Sequence, residues 1–177
     1  MGRMVSCISY MEKFSVNDII YKPKFFDDGE ATLLYNHLMN ENAFEWQLPA
    51  RKDGKPSKGT RKMAYMDDAV NDYNYADMFI VGTPFTPMVH FYKTVINLHL
   101  KMNYGITGLN SVLLNLYEDG KSEIRWHSDK EAQLGENPII PTLNLGVSRK
   151  FHFLKKDSGE RSSYVLNHGD LLIMGPN

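Results

Sequence analysis

The chain has 177 residues, of which 42% are hydrophobic and 23% charged, the usual proportions for one globular domain. Its formal net charge is −1, so attraction to a polyanion must come from a local patch and not from the whole molecule. The single cysteine, Cys7, excludes an intrachain disulfide framework and a cysteine-rich zinc site. Together with the lack of an apolar run of about 18 residues, this predicts a soluble intracellular protein with no membrane span.

Two helices are predicted in the first half of the chain. Residues 27–40 begin with capping aspartates, and four residues then recur at helical spacing: Leu33, Leu34, His37 and Leu38. In residues 86–104, Thr86 suits the N-cap, Pro87 suits the first helical position and Gly105 ends the helix. The apolar face predicted for this second helix consists of Met88, Phe91, Val95, Leu98 and Met102.

A basic stretch, residues 51–62, lies between the two predicted helices. It sets six basic residues against Asp53, a net charge of +5: Arg51, Lys52, Lys55, Lys58, Arg61 and Lys62. The aromatic segment "MAYMDDAVNDYNYADMF" follows at once. Cations that neutralise phosphates beside rings that stack on bases are typical of a nucleic-acid surface. The alternative interpretation is a solvated loop beside core aromatics.

From residue 110 onward the pattern changes to strands. Five short segments are rich in branched and aromatic residues and are separated by turn signals: "NSVLLNLY", "IIPTLNLGV", "KFHFLKK", "SYVLNH" and "DLLIM". They predict an antiparallel β sandwich or barrel. Helices in the first half and strands in the second half indicate an α+β fold, with the helices packed on one side of the sheet.

Polar residues within these segments are candidates for a site. Strand alternation in "LLNLYEDG" places Asn115 and Tyr117 on one face with Leu113, which suggests a polar ligand inside the fold. In "IRWHSDKE", an apparently extended segment, His127 and Asp129 share a face. An imidazole and a carboxylate suit two positions of a 2-His-1-carboxylate iron site. The sequence His168-Gly-Asp170 has the same spacing but lies at a turn, so His127 and Asp129 are preferred.

The run from Asn110 to Met174 resembles the AlkB family of Fe(II)- and 2-oxoglutarate-dependent dioxygenases. The matching elements are "LLNLYEDG", "IRWHSDKEAQLGENPIIPTLNLGVSRKFHFLKK" and "LNHGDLLIMG", and upstream "TRKMAYMDD" and "YNYADM" resemble the nucleotide-recognition region of the family. The resemblance implies a double-stranded β-helix, or jelly roll, with N-terminal helices packed on one side. It divides the chain into an N-terminal extension, 1–20, and an oxygenase domain, 21–177. Within that domain, nucleotide recognition occupies about 44–80 and the jelly-roll core starts at about 110.

The resemblance also implies roles for single residues. His127 and Asp129 match iron ligands, and Asn115 and Tyr117 match residues that bind 2-oxoglutarate. Near the target base the match places Glu131 and Arg149. The lid that grips the flipped nucleotide is matched by Arg61, Met63, Tyr65, Tyr73 and Tyr75.

An enzyme of this family uses Fe(II), 2-oxoglutarate and O2 to remove methyl groups from alkylated bases. The implied substrates are 1-methyladenine and 3-methylcytosine in DNA or RNA, and the implied products are formaldehyde, succinate and CO2. The resemblance distinguishes neither DNA from RNA nor a monomer from an oligomer.

The chain departs from the family pattern at its end. The distal iron histidine and the arginines that bind 2-oxoglutarate lie, in the family, beyond the segment matched by "GDLLIMGPN", so we expect a C-terminally truncated oxygenase. One alternative is a nucleic-acid-binding protein that has lost oxidation. Another is an intact site that uses His168, or less favourably His152, as the third ligand. A further alternative keeps the oxygenase chemistry and acts on a protein or a small molecule.

Overall fold

A computed structural model of the chain describes residues 4–9, 19–40, 42–53, 61–75, 78–124, 126–129, 131–135, 138–155 and 158–175; for 4–9, 50 and 75 only the backbone is described. Within these ranges there are two α-helices, α1 (Asp28–Leu38) and α2 (Pro87–Tyr104). The strands of the first half are β1 (Met4–Ser9), β2 (Ile20–Lys22), β3 (Ala50–Arg51), β4 (Lys62–Asp67), β5 (Tyr73–Tyr75), β6 (Met78–Ile80) and β7 (Gly82–Thr83). Those of the second half are β8 (Ser111–Tyr117), β9 (Ile140–Gly146), β10 (Arg149–Leu154), β11 (Arg161–Leu166) and β12 (Leu171–Met174).

The ends of both helices follow the predicted capping residues. Asp27 accepts a hydrogen bond from the backbone N–H of Glu30 and forms a capping box with it. At α2 the hydroxyl of Thr86 accepts from the N–H of Val89, and Gly105 ends the helix in the left-handed conformation, at φ 70°. Both predicted helices are therefore confirmed at their N-terminal ends and α2 also at its C-terminal end, whereas α1 ends at Leu38, before the predicted end at residue 40.

The predicted apolar face of α2 is only partly correct, since Met88 and Val95 are half-buried against the core whereas Phe91, Leu98 and Met102 are exposed. Phe91 is 60% exposed and Met102 is 75% exposed. The face that packs on the sheet is shifted by one position along the chain and consists of Val89, Tyr92, Lys93, Ile96 and Leu100. Both stripes have helical spacing, so the choice between them depends on the sheet and not on the sequence period. In α1, likewise, Leu34 is buried as predicted but Leu33 is exposed.

The strands form three sheets. The main sheet has the order β2-β12-β9-β1-β8-β4-β7, with antiparallel pairs throughout except for the parallel pair β4–β7. β10 and β11 form a hairpin, and β3, β6 and β5 form a small third sheet. Four strands of the main sheet come from the first half of the chain, so the predicted separation into helices first and strands later is too simple. Among the described residues the main sheet does not close into a barrel.

The main sheet has two different sides. On the helix-facing side, alternate residues of β8 and β9 pack in one large core with α1 and α2: Leu114, Leu116, Leu143 and Leu145. On the opposite side, which we call the inner side, a smaller apolar cluster includes Met63, Tyr65, Leu113 and Ile140. Because strand residues alternate between sides, Asn115 and Tyr117 lie on the inner side, as predicted.

Candidate functional site

Asn115 is a buried polar group without a partner on the inner side. It lies in β8 opposite Met63 of β4 and is 1% exposed. Its Oδ1 has no hydrogen-bond partner among the described residues. Leaving a buried polar atom unpaired costs about 1–3 kcal/mol, so such an atom indicates a partner that the chain itself does not supply.

Two further polar residues lie on the same side in β9. Thr142 is buried, and its Oγ1 also has no partner among the residues described. Asn144 is different, since its Nδ2 donates to the carbonyl oxygens of Leu166, at 3.0 Å, and Val147, at 3.4 Å. Neither residue is among the predicted site residues. The signal was present, because Thr142 and Asn144 alternate with leucines in the pattern that located Asn115.

His127 and Asp129 come together as predicted. The His127 Nε2 and the Asp129 Oδ1 are 3.5 Å apart, and the side chains are 26% and 20% exposed. Residues 126–129 do not belong to a strand, so no sheet partner positions these two side chains. Trp126 places one end of it beside β10, with its ring 6.4 Å from that of His152, and Leu134 places the other end in the inner cluster. An imidazole nitrogen and a carboxylate oxygen this close can bind one divalent metal ion.

The part of the chain that the structure describes supplies no third metal ligand. No group of three or more His, Cys, Asp or Glu side chains in it could hold a metal ion. His168 is held elsewhere: its Nδ1 accepts from the N–H of Gly146 at 2.9 Å, and its Nε2 is 3.2 Å from the hydroxyl of Thr32. Because both ring nitrogens connect β9 to α1, the geometry gives no support to His168 as a substitute ligand. His152 is exposed on β10 and contacts Trp126.

Arg149 contacts Tyr117 and the turn that follows it. The guanidinium carbon lies 4.8 Å from the centre of the Tyr117 ring. Its Nη1 donates to the carbonyl oxygen of Ser122 at 2.7 Å, and its Nη2 donates to that of Asp119 at 2.5 Å. The sequence predicted Arg149 at the edge of a substrate pocket, but both terminal nitrogens are directed at the backbone.

The side chains predicted to grip a nucleotide are mostly buried. Arg61, Met63, Tyr65 and Tyr73 are all in this class, and the rings of Tyr65 and Tyr73 pack 5.0 Å apart at 33°. Burial, together with the nearby carboxylate of Asp67, raises the pKa of Tyr65 to about 12. These rings therefore form a wall of the inner side and not an open stacking surface. The Tyr75 side chain lies outside the described residues. Glu131, which was predicted near the target base, is half-buried and immediately precedes a short 3-10 helix, Ala132–Leu134.

Only part of the basic stretch is described. Lys55 and Lys58 lie outside the described residues, Arg51 forms an ion pair with Asp53 at 2.9 Å, and Lys62 forms one with Glu118 at 3.1 Å. The cations at the two ends of the stretch are thus partly neutralised. Its role in binding nucleic acid remains a prediction.

Comparisons with known proteins show the family to which the chain is similar. The family model of the 2OG-Fe(II) oxygenase superfamily matches residues 18–177. The alpha-ketoglutarate-dependent dioxygenase alkB homolog 3 of Bos taurus is 30% identical over 93% of this chain and 58% of its own length. The Homo sapiens protein of the same name is 31% identical over 90% of this chain and 56% of its own.

A second group of relatives is similar to the same extent. The DNA oxidative demethylase ALKBH2 of Homo sapiens is 29% identical over 84% of this chain and 59% of its own length. The chain thus spans little more than half the length of the curated relatives it matches. No helix in the described residues is long and apolar enough to cross a membrane.

Proposed function

The chain belongs to the AlkB family of the 2OG-Fe(II) oxygenase superfamily, and from this premise we propose that it removes methyl groups oxidatively from alkylated nucleic-acid bases. The observation that carries the proposal is the combination of a His127–Asp129 pair with the unpartnered amide of Asn115 on the inner side. The first is suited to a metal ion and the second to a polar ligand. We further propose that the main sheet and the β10–β11 hairpin are the two walls of a jelly roll.

The residues present fit Fe(II) and 2-oxoglutarate in their donor chemistry. When bound, the iron and 2-oxoglutarate supply, with O2, the oxidising power that hydroxylates an N-methyl group, which then leaves as formaldehyde. His127 Nε2 and Asp129 Oδ1 would hold the iron as two of its protein ligands. Neutral imidazole and ionised carboxylate are the forms of these side chains that bind a metal.

Asn115, Tyr117 and Thr142 would orient 2-oxoglutarate. The oxygen and nitrogen of an amide are interchangeable by a half turn, so Asn115 can present its NH2 group to an oxygen of the ligand. The hydroxyl of Thr142 and the phenol of Tyr117 can also donate. Charge-assisted hydrogen bonds of this kind to a carboxylate are stronger than neutral ones, and the dry surroundings of the inner side strengthen them further.

The wall made by β4 and β5 would bound the base. Met63, Tyr65 and Tyr73 offer apolar surface beside Asn115, Arg61 and Tyr75 lie at its ends, and Glu131 follows the metal-binding pair. A base within a duplex has to leave the stack before its methyl group can reach the iron. We propose that region 44–80 receives the extruded base, and that the Tyr65–Tyr73 pair separates to admit it.

The test measures formaldehyde released from DNA and RNA oligonucleotides carrying 1-methyladenine or 3-methylcytosine, with Fe(II), 2-oxoglutarate and air. His127→Ala should abolish release because it removes a metal ligand, whereas the control His90→Ala should leave it unchanged because that exposed ring lies on α2, on the other side of the main sheet. Release that survives in His127→Ala would contradict the assigned metal site.

A second candidate function is nucleic-acid binding without turnover. It is favoured by one observation, the lack of a three-ligand group among the described residues. The same assay separates the two functions when oligonucleotide binding is measured beside it. Binding without formaldehyde, together with no change in binding on His127→Ala, would favour the second candidate.

A further inference from the structure

Arg149 connects three parts of the site that lie in different elements. The arginine begins β10 of the hairpin, whereas Tyr117 ends β8 of the main sheet. Asp119 and Ser122, whose carbonyl oxygens accept its two terminal nitrogens, lie in the turn after β8. The same turn leads to the segment that carries His127. One guanidinium therefore touches the end of the proposed 2-oxoglutarate strand and the turn that precedes the proposed metal-binding segment.

The turn is already closed by its own hydrogen bonds. The Asp119 Oδ1 accepts from the N–H of Lys121 at 2.9 Å, from the N–H of Ser122 at 2.8 Å and from the hydroxyl of Ser122 at 2.9 Å. These hydrogen bonds, that of the Ser122 hydroxyl foremost, lower the pKa of the Asp119 carboxyl below its ordinary value. Hydrogen bonds within the turn already determine its conformation. The hydrogen bonds from Arg149 therefore fix the position of the turn relative to β10.

The geometry needs a guanidinium. Arginine is planar, presents several donors in a rigid fork and can lie over an aromatic ring while its edge donates hydrogen bonds. A cation over a tyrosine ring attracts the negative face of the ring and holds its plane. A lysine ammonium could keep the charge near the ring but could not span both carbonyl oxygens in the same arrangement.

We propose that Arg149 is a positioning residue for 2-oxoglutarate: it fixes the direction of the Tyr117 phenol and the path of the turn toward His127, and it does not contact nucleic acid. This inference rests on the proposed function, since it assigns a role within that site. It replaces the role at the edge of the substrate pocket that the sequence predicted for Arg149.

The test compares Arg149→Gln and Arg149→Lys with the control Lys150→Gln, whose side chain is exposed on the next position of β10. The dissociation constant of 2-oxoglutarate is measured by calorimetry under argon with Fe(II) present. We expect Arg149→Gln to weaken 2-oxoglutarate binding about tenfold, as is usual when the residue that orients a ligand is removed. Arg149→Lys should weaken it about threefold because it retains only the charge, and Lys150→Gln should not change it.

A double-mutant cycle with Tyr117→Phe tests whether Arg149 acts through Tyr117. If Arg149 acts by positioning the phenol, Arg149→Gln should add little to the weakening that Tyr117→Phe causes alone. Fully additive losses in the double variant would contradict the proposed route. If Arg149→Gln does not fold, Arg149→Lys replaces it in both the affinity measurement and the double-mutant cycle.

Oligonucleotide affinity and melting temperature separate this role from the alternatives. Binding of a methylated oligonucleotide, and its dependence on salt, should be the same in the wild type and Arg149→Gln. Loss of that affinity with a salt slope shallower by about one would instead identify a phosphate contact and overturn the proposal. A lower melting temperature with unchanged 2-oxoglutarate affinity would overturn it in favour of a structural role.

The failure of this inference is distinguishable from that of the proposed function. If the wild type binds 2-oxoglutarate and the Arg149 variants bind it equally well, the role of Arg149 is wrong while the proposed function stands. If the wild type binds no 2-oxoglutarate, both are overturned.

Discussion

The two sides of the main sheet are built from the same strands but use polar groups differently. The helix-facing side of β8 and β9 is apolar and packs on α1 and α2 without a polar side chain between the leucines. The inner side of the same two strands carries Asn115, Thr142 and Asn144, of which the first two leave a buried atom without a partner among the described residues. One side therefore stabilises the fold, while the other retains unpaired groups that a ligand can satisfy.

The largest effect should come from the helix-facing side. Leu114→Ala removes a fully buried side chain and should lower the free energy of unfolding by about 3 kcal/mol, through lost burial and the cavity left behind. Denaturant unfolding measures the change. The affinity of the remaining folded protein for 2-oxoglutarate should stay the same. If the variant is fully folded and its affinity for 2-oxoglutarate is nevertheless much lower, the two sides of the sheet do not act independently.

Asp170 differs from the unpaired groups of the inner side, because it is a buried carboxylate with several hydrogen-bond partners. Burial alone would raise the pKa of Asp170, but hydrogen bonds from Tyr21, the N–H groups of Lys24 and Asn167, and the Asn167 amide outweigh it and leave the pKa below its usual value. Asp170→Asn should lower the free energy of unfolding by about 2 kcal/mol at neutral pH.

The pH dependence of unfolding tests the cause of that loss. A lowered pKa in the folded state means that the contribution of Asp170 is present above the unfolded value of 3.8 and is lost as the pH falls through the folded value. Stability of the wild type should therefore fall more steeply below about pH 4 than that of Asp170→Asn. Parallel curves for the two proteins would contradict the assigned hydrogen bonds.

Asn115→Leu should separate stability from binding on the inner side. Because the amide oxygen is unpaired, an apolar side chain of similar volume should leave the free energy of unfolding unchanged or raise it by about 1 kcal/mol. The affinity for 2-oxoglutarate should fall about tenfold through the lost hydrogen bond. Calorimetry and denaturant unfolding on the same preparations check the two effects.

Asn144→Leu is the matched control for this change. Its amide lies on the same side but donates to two carbonyl oxygens, so its loss should destabilise the protein by about 2 kcal/mol. If Asn115→Leu and Asn144→Leu change the free energy of unfolding equally, the distinction between a paired and an unpaired amide is wrong.

The smallest effect is expected at Thr142. Thr142→Val replaces a buried, unpaired hydroxyl by a methyl group of similar shape, so it should stabilise the ligand-free protein by about 0.5–1 kcal/mol. Saturating 2-oxoglutarate should stabilise the wild type more than this variant, a difference that melting temperatures measure with and without the ligand. Destabilisation of the ligand-free variant would mean that the hydroxyl already has a partner.

Local features of the fold were predictable from the sequence. Asp27, Thr86 and Gly105 cap helices through contacts within a few residues, and strand alternation placed Asn115 and Tyr117 correctly. The spacing of His127 and Asp129 brought them together even though their segment is not a strand. In each case the cause lies within a short stretch of chain.

Features that depend on distant partners were not predictable in this way. The face of α2 that packs is selected by the sheet, because the sequence offers two apolar stripes at the same spacing. The contacts of Arg149 depend on a turn almost thirty positions earlier in the chain. Likewise, nothing local indicates that β4 pairs with β8, or that Tyr65 of β4 packs on Tyr73 of a different sheet.

The place of β1 in the sheet has a consequence for how the chain folds. β1 pairs with β8 on one edge and with β9 on the other, so these two strands do not pair with each other. Both partners lie about a hundred residues or more further along the chain, and closing loops of that length has a high entropic cost. The centre of the sheet therefore depends on strongly non-local contacts, which slow folding. During synthesis, β1 has to wait for partners that are made much later, and until they meet, its edges are open to other chains.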